Sequence, residues 1–214
     1  MQSSRAPYAR AVPDQAEVLD LYQRGVEAIT AQVADWTDAD WSRPACGTWN
    51  GTELAGHLVT VIDWYHAWLD RGLAGITDPA FPIDALDTET GAALGTLHAG
   101  TGPDRIVTFT ASANRYAQRL VAHWDTPFAY PRGAVTAGLH AGVAAVEWHV
   151  HAWDFASAAG RAYEPQNADA LFLAAARCQL AVLGGTREQL GLRVARFTAR
   201  RDPWRQLLRR MGRI

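Results

Sequence analysis

The stretch "AVEWHVHAWDFASAAG", residues 145–160, decides how this chain is read. Its Ala, Val, Trp and Phe residues leave no polar face wide enough for a surface helix, so the pattern predicts a helix buried on most sides, ended by Gly160. Into this apolar run the sequence sets Glu147, His149, His151 and Asp154. At about 100 degrees per residue, His151 lies roughly 40 degrees round the helix from Glu147 and one turn along it, so both can reach one partner. His149 is about 200 degrees from Glu147 and is expected to pack or face solvent elsewhere.

An unpaired carboxylate among apolar neighbours is costly, and no arginine shares the face of Glu147 within its helix. A buried hydrogen bond from His151 is one solution. A metal ion is the other, and spacing alone does not separate them. Catalytic zinc wants three protein ligands and an open fourth position, so a third ligand must come from elsewhere. The candidate is His57 in "GTELAGHLVTVIDWYHAW", which shares a helical face with Val61, Trp64 and Trp68. His66 falls about 180 degrees away from His57 and is excluded from that face. Glu53, four before His57, is explained by a capping box with Asn50.

Three further groups belong to the same neighbourhood. Asp154, three after His151, lies on the stripe of Glu147 and either orients a ligand histidine or bonds a neighbouring helix. His140, seven before Glu147 and about 10 Å along the axis, either lines a pocket or packs in the core. Trp64 and Trp68 either stack on a planar substrate or pack in the core.

Outward from these motifs the chain reads as helices. One starts after Pro13-Asp14, with Val18, Leu21, Tyr22, Val26 and Ile29 at spacings of three and four, and runs to about residue 34. A loop rich in Trp and turn residues leads to a second helix from Gly51 to the Gly72–Gly75 region. A third, interrupted helix is expected as a short piece around 88–99 and a longer one opened by Pro103. A fourth runs from about Gly133 to Ala159 and a fifth from about Asn167 to Leu183. Strand alternation and internal repeats are not seen. Four major helices separated by polar breaks predict an all-α four-helix bundle over 1–185, with an arginine-rich helical tail over 186–214 packed on or beside it.

Composition narrows the function classes. All 20 basic residues are arginines, which removes Schiff-base lysines, pyridoxal-phosphate attachment and the phosphate-loop lysine. Nine of these arginines lie between Arg187 and Arg213 against two acids, but no nucleic-acid reader motif accompanies them, and nucleic acid is not an expected partner. No secretory leader and no uncharged run of roughly 18 apolar residues is seen, so a cytoplasmic protein without a membrane partner is expected, as monomer or homodimer. Cys46 and Cys178 are expected to be reduced. There is no G-x-S-x-G elbow and no H-E-x-x-H zinc motif, so no catalytic residue is expected beyond a metal centre.

The two halves of this constellation, "RPACGTWNGTELAGHLV" and, about 90 residues later, "EWHVHAWDFASAAGR", resemble the mycothiol-dependent maleylpyruvate isomerase family of the DinB/YfiT-like superfamily over roughly residues 14–185. The resemblance implies an up-down-down-up four-helix bundle. It also implies a divalent metal, usually zinc, on His57, Glu147 and His151, and a low-molecular-weight thiol, typically mycothiol, as cosubstrate. The function it implies is a zinc-dependent thiol S-transferase acting on a small electrophile, with a mycothiol-dependent cis-trans isomerase as the alternative. A metal hydrolase, or a non-enzymatic binding or regulatory bundle, are the readings outside it. The isomerase carries a separate C-terminal domain, whereas about 30 residues follow Gly185 here, so no substrate-binding arginine is transferred.

Overall fold

The computed structural model describes residues 13–79, 100–131, 133, 135–182 and 202–214. Four long helices dominate: α1 (Gln15–Val33), α3 (Gly51–Leu73), α4 (Gly102–Ala122) and α5 (Ala137–Ala158). Between α1 and α3 lie a single-turn α2 (Asp38–Trp41) and a small hairpin, β1 (Pro44–Cys46) and β2 (Trp49–Asn50). A second tiny hairpin, β3 (Pro127–Phe128) and β4 (Val135–Thr136), precedes α5. Helices α6 (Ala168–Val182) and α7 (Pro203–Arg210) follow.

Each long helix begins where its capping chemistry places it. The Asp14 side chain accepts from the Glu17 amide at 2.9 Å and starts α1. Asn50 and Glu53 form a reciprocal capping box at α3, with bonds of 2.9 and 2.8 Å. Thr101 and Asp104 do the same at α4, with Pro103 in its first turn. The fourth long helix starts at Ala137 rather than near Gly133, because Val135 and Thr136 pair with β3 and Thr136 then caps the helix through the Leu139 amide. The hairpins and α2 correct the strand-free reading. Segments of two to four residues are too short to show a period. The short helix expected around 88–99 lies outside the described residues.

Side-chain contacts fix the directions of the helices. His66 of α3 bonds the Ser112 carbonyl of α4, and Arg105 of α4 bonds the Thr52 carbonyl, so α3 and α4 run parallel. On α1, Leu21 meets His149 of α5, and Gln32, near its end, meets Arg161 just beyond α5, so these two also run parallel. Tyr22 meets Ala113 while Thr30 meets Thr110, which sets α1 antiparallel to α4. His57 and Tyr65 of α3 meet Glu147 of α5, and Trp68 meets His140, which sets α3 antiparallel to α5. The connectivity is up-down-down-up, and the all-α bundle carries α7 as an additional C-terminal helix.

Helix α5 is buried on most sides, between α1 and α6 and within reach of α3 and α4. Its Trp148 and Phe155, with Tyr22, Phe109 and Tyr116, make up the largest buried side chains of the core. Close approach depends on small residues at two crossings. A Cβ on Gly25 of α1 would stand 2.7 Å from the Cβ of Trp148. A Cβ on Gly72, in the last turn of α3, would stand 1.7 Å from the Pro127 carbonyl oxygen of β3, a collision with backbone that no rotamer change relieves. Gly72→Ala is therefore expected to destabilise the protein by about 2–3 kcal/mol in urea unfolding, as an overpacked contact does. A loss under about 0.5 kcal/mol, the range of a neutral surface change, would contradict this packing.

Candidate metal centre

The antiparallel crossing of α3 and α5 brings together residues 90 positions apart. His57, in the second turn of α3, faces Glu147 and His151 of α5, and one donor atom from each of the three lies within 4.8 Å of the others. Both imidazole Nε2 atoms face the same carboxylate oxygen: Glu147 Oε1 is 3.7 Å from His57 and 3.9 Å from His151. These separations are too long for hydrogen bonds. They are slightly wider than the roughly 3.3–3.5 Å between ligands around a tetrahedral zinc with bonds of about 2.0–2.2 Å. The Glu147 side chain is 22% exposed against 12% for His57 and 5% for His151, so the cluster is reached from the glutamate side.

The neighbours define what each donor presents. Asp154 Oδ2 accepts from His151 Nδ1 at 2.9 Å, so the proton of a neutral His151 is on Nδ1 and the Nε2 lone pair points toward Glu147. A lone pair and a carboxylate oxygen facing each other repel, and a cation between them relieves the repulsion. Tyr65, two turns along α3 from His57, donates its hydroxyl to the other carboxylate oxygen, Glu147 Oε2, and leaves Oε1 for the histidines. Trp49 of β2 lies tilted against the His57 ring with centroids 4.8 Å apart, while the buried Nδ1 of His57 has no hydrogen-bond partner among the described residues. The donor set of two imidazoles and one carboxylate fits a divalent cation such as zinc.

The electrostatics agree with that donor set. Burial alone would raise the Glu147 carboxyl, but His57, His151 and Tyr65 outweigh it and hold it down at about 2. Burial lowers His57, only partly offset by Glu147, so its ring is neutral at pH 7. Burial likewise opposes ionisation of Asp154, yet His151 and Arg213 draw its carboxyl below the ordinary range. Ionised carboxylate and neutral imidazole are the states a cation requires. Cys46, on the hairpin beside this cluster, is a free cysteine whose thiol burial and the Asp154 charge push up to about 11. It is a thiol at neutral pH and not an activated nucleophile. Cys178 is buried.

The other residues singled out by sequence fall into two groups. His149 packs against α1, its Nε2 donating to the Leu21 carbonyl at 3.0 Å while Tyr163 bonds the other nitrogen. His66 bonds the Ser112 carbonyl and Arg119. Trp68 and His140 are buried with Tyr65, Phe128 and Tyr130 in an aromatic cluster, where the His140 ring stacks on Phe128 at 4.3 Å. Trp64 is half-buried against Trp68. None of Trp64, Trp68 and His140 lines the crevice that opens beside Glu147. That crevice, a cavity of about 100 Å³, lies between α5, α6 and α7 and is walled by Val146, Phe172, Ala176, Leu207 and Met211, with Arg210 over the Phe172 ring.

Sequence reasoning missed Tyr65 and Arg213. Tyr65 sits on α3 at a height that meets Glu147 only because α3 and α5 run antiparallel, and no spacing within one helix reveals that. Arg213 had a weak signal, since a buried Asp154 asks for a cation, but nothing selected it among nine arginines.

The mycothiol maleylpyruvate isomerase N-terminal domain family matches residues 22–156. The chain belongs to this family. The matched segment contains His57, Tyr65, Glu147, His151 and Asp154, and stops before α6 and α7. Comparison with curated proteins and with solved structures finds no match. Among the described residues no helix is long and apolar enough to cross a membrane.

His140 makes the fold sensitive to acid. Burial lowers it to about 3, and both ring nitrogens lack partners among the described residues. The unfolded chain takes up this proton near pH 6.5 and the folded one does not, so the stability it contributes is complete above pH 6.5 and is lost as pH falls toward 3. His140→Phe is expected to reduce the slope of stability against pH between about pH 6 and 4 by about 1.4 kcal/mol per pH unit, one proton's worth. Urea unfolding at pH 7 and pH 5 checks it; an unchanged difference between the two would place the ring in a protonated folded environment.

Proposed function

We propose that this protein is a metal-dependent thiol S-transferase in which His57, Glu147 and His151 hold a divalent cation, zinc by preference, and mycothiol or a similar small thiol attacks a small electrophile. The observation that carries this reading is the convergence of three donors from α3 and α5 on one point, with the carboxylate oxygen too far from either imidazole to be hydrogen-bonded to it. The family's description supplies the thiol.

A zinc ion on these donors supplies a Lewis acid that lowers the pKa of a docking thiol, so that a thiolate is present at neutral pH. The donors would set the charge: two imidazole ligands and one carboxylate would cancel only half of a dication, and the net positive charge would attract an anionic sulfur. Tyr65, by occupying Glu147 Oε2, keeps one carboxylate oxygen on the site and the other off it. The protein's own Cys46 remains protonated and does not compete. Beside Glu147, the apolar crevice with Arg210 at its wall gives the second substrate a place to lie. The thiol proton would pass to solvent, the sulfur lone pair would form the new bond to an electrophilic carbon, the displaced electron pair would move onto the electrophile, and a solvent proton would complete the adduct.

If the adduct is kept, the outcome is transfer. If the addition reverses after a bond rotation, the outcome is cis-trans isomerisation, the reaction that the family's description names. The two are separated by whether thiol is consumed. Protein purified without chelator is expected to carry about one divalent ion per chain and to consume mycothiol with members of an electrophile panel. His57→Ala, Glu147→Ala and His151→Ala are each expected to weaken metal binding more than about 100-fold, beyond what loss of a supporting residue costs, with helical circular dichroism retained. Full metal occupancy in all three variants, or turnover without any thiol, would overturn this reading.

A further inference from the structure

We propose that Arg213 is a positioning residue for the metal centre: its guanidinium fork fixes the Asp154 carboxylate, which in turn fixes the imidazole of His151. The inference rests on the reading of His57, Glu147 and His151 as ligands. It adds to that reading a residue outside the segment shared with the family, which ends at 156.

The geometry is a chain of directed contacts. Asp154 is 1% exposed and has both oxygens engaged. Oδ1 accepts from Arg213 Nε at 2.9 Å, and Oδ2 accepts from Arg213 Nη2 at 3.0 Å and from His151 Nδ1 at 2.9 Å. This is a two-pronged arginine–carboxylate pair, in which two parallel bonds determine the plane of the carboxylate as well as its place. A single imidazole bond would leave that plane free to rotate. With Arg213 present, the remaining acceptor direction of Oδ2 is aimed at Nδ1, and the ring behind it presents Nε2 to Glu147 Oε1.

Arg213 is itself held. Its Nη1 donates to the Met211 carbonyl at 2.8 Å and its backbone amide to the Leu208 carbonyl at 2.9 Å, so its position follows from the end of α7. That helix is docked by buried Trp204, Leu207 and Leu208, and Trp204 Nε1 donates to the Tyr163 carbonyl at 3.1 Å. The same helix supplies Leu207, Arg210 and Met211 to the crevice beside Glu147. One peripheral element therefore supports a ligand histidine and walls the space next to the metal centre. A lysine at 213 would keep the charge but not the fork, since an ammonium cannot fix a carboxylate plane.

The test uses the full chain loaded with Co²⁺, reading its d–d spectrum and, by chelator competition, its affinity for Zn²⁺. Arg213→Ala and Arg213→Lys are both expected to lower Zn²⁺ affinity by about 10- to 100-fold and to shift the cobalt bands. In an Asp154→Ala background, Arg213→Ala is expected to add less than about twofold, because the two act as one unit. Arg213→Lys keeps the helix and its charge, so it reports on the fork even if the alanine variant loosens α7. Unchanged affinity and spectrum in Arg213→Lys, or an equal effect of Arg213→Ala with and without Asp154, would overturn the proposal. Loss of metal in His151→Ala alongside those results leaves the three-ligand reading standing; metal retained in His151→Ala removes the proposal, and metal retained in all three ligand variants removes that reading as well.

Discussion

A carboxylate stands in the most deeply packed helix of this protein, and the structure around it is arranged to satisfy that charge. Desolvating an ion costs several kcal/mol unless opposite charge and hydrogen bonds return the loss. Around Glu147 the described residues offer one hydroxyl, from Tyr65, and two imidazoles beyond hydrogen-bonding distance. In the proposed reading a divalent cation on His57, Glu147 and His151 completes the balance. Asp154, two turns further along the same stripe, meets the same demand with a protein cation, Arg213.

The up-down-down-up topology is what makes the site possible. Parallel pairing of α1 with α5 and of α3 with α4 leaves α3 and α5 antiparallel, so His57 in the second turn of α3 and Tyr65 two turns later both meet Glu147 at the middle of α5. The same crossing sends Trp68 toward His140 at the other end, where an aromatic cluster closes the core beneath Tyr65. Small residues at the crossings, Gly25 against Trp148 and Gly72 against β3, let the helices approach closely enough for these contacts. The hairpin of β1 and β2, turned at Gly47 with φ of 57°, lays Trp49 over His57 and brings Cys46 beside Asp154.

Much of this was legible before the fold was known. The helix starts after Asp14, at the Asn50 capping box and at Pro103 are local chemistry, and local chemistry is written in order along a sequence. Glu147 and His151 share a face by helical arithmetic, and His57 followed from the apolar face of α3. What the sequence withheld depends on which helices are neighbours and in which direction they run. Tyr65 meets Glu147 through the antiparallel crossing, and Arg213 reaches Asp154 from 59 positions away. On sequence alone Trp64, Trp68 and His140 fit either a substrate surface or the core, with core packing the safer reading, and the fold buries Trp68 and His140 together. The two-residue strands carried no period to read.

Family membership and geometry bear on different parts of the account: the first brings a thiol and an enzyme's name, the second a set of donors and an adjoining apolar crevice. They meet at the point between α3 and α5 where the three donors converge. Anomalous diffraction at the zinc edge, from crystals of the protein purified without chelator, tests that point directly. The account predicts one strong peak about 2.0–2.2 Å from His57 Nε2, Glu147 Oε1 and His151 Nε2. A peak elsewhere in the molecule, or no peak with the three side chains hydrogen-bonded to one another, would contradict it.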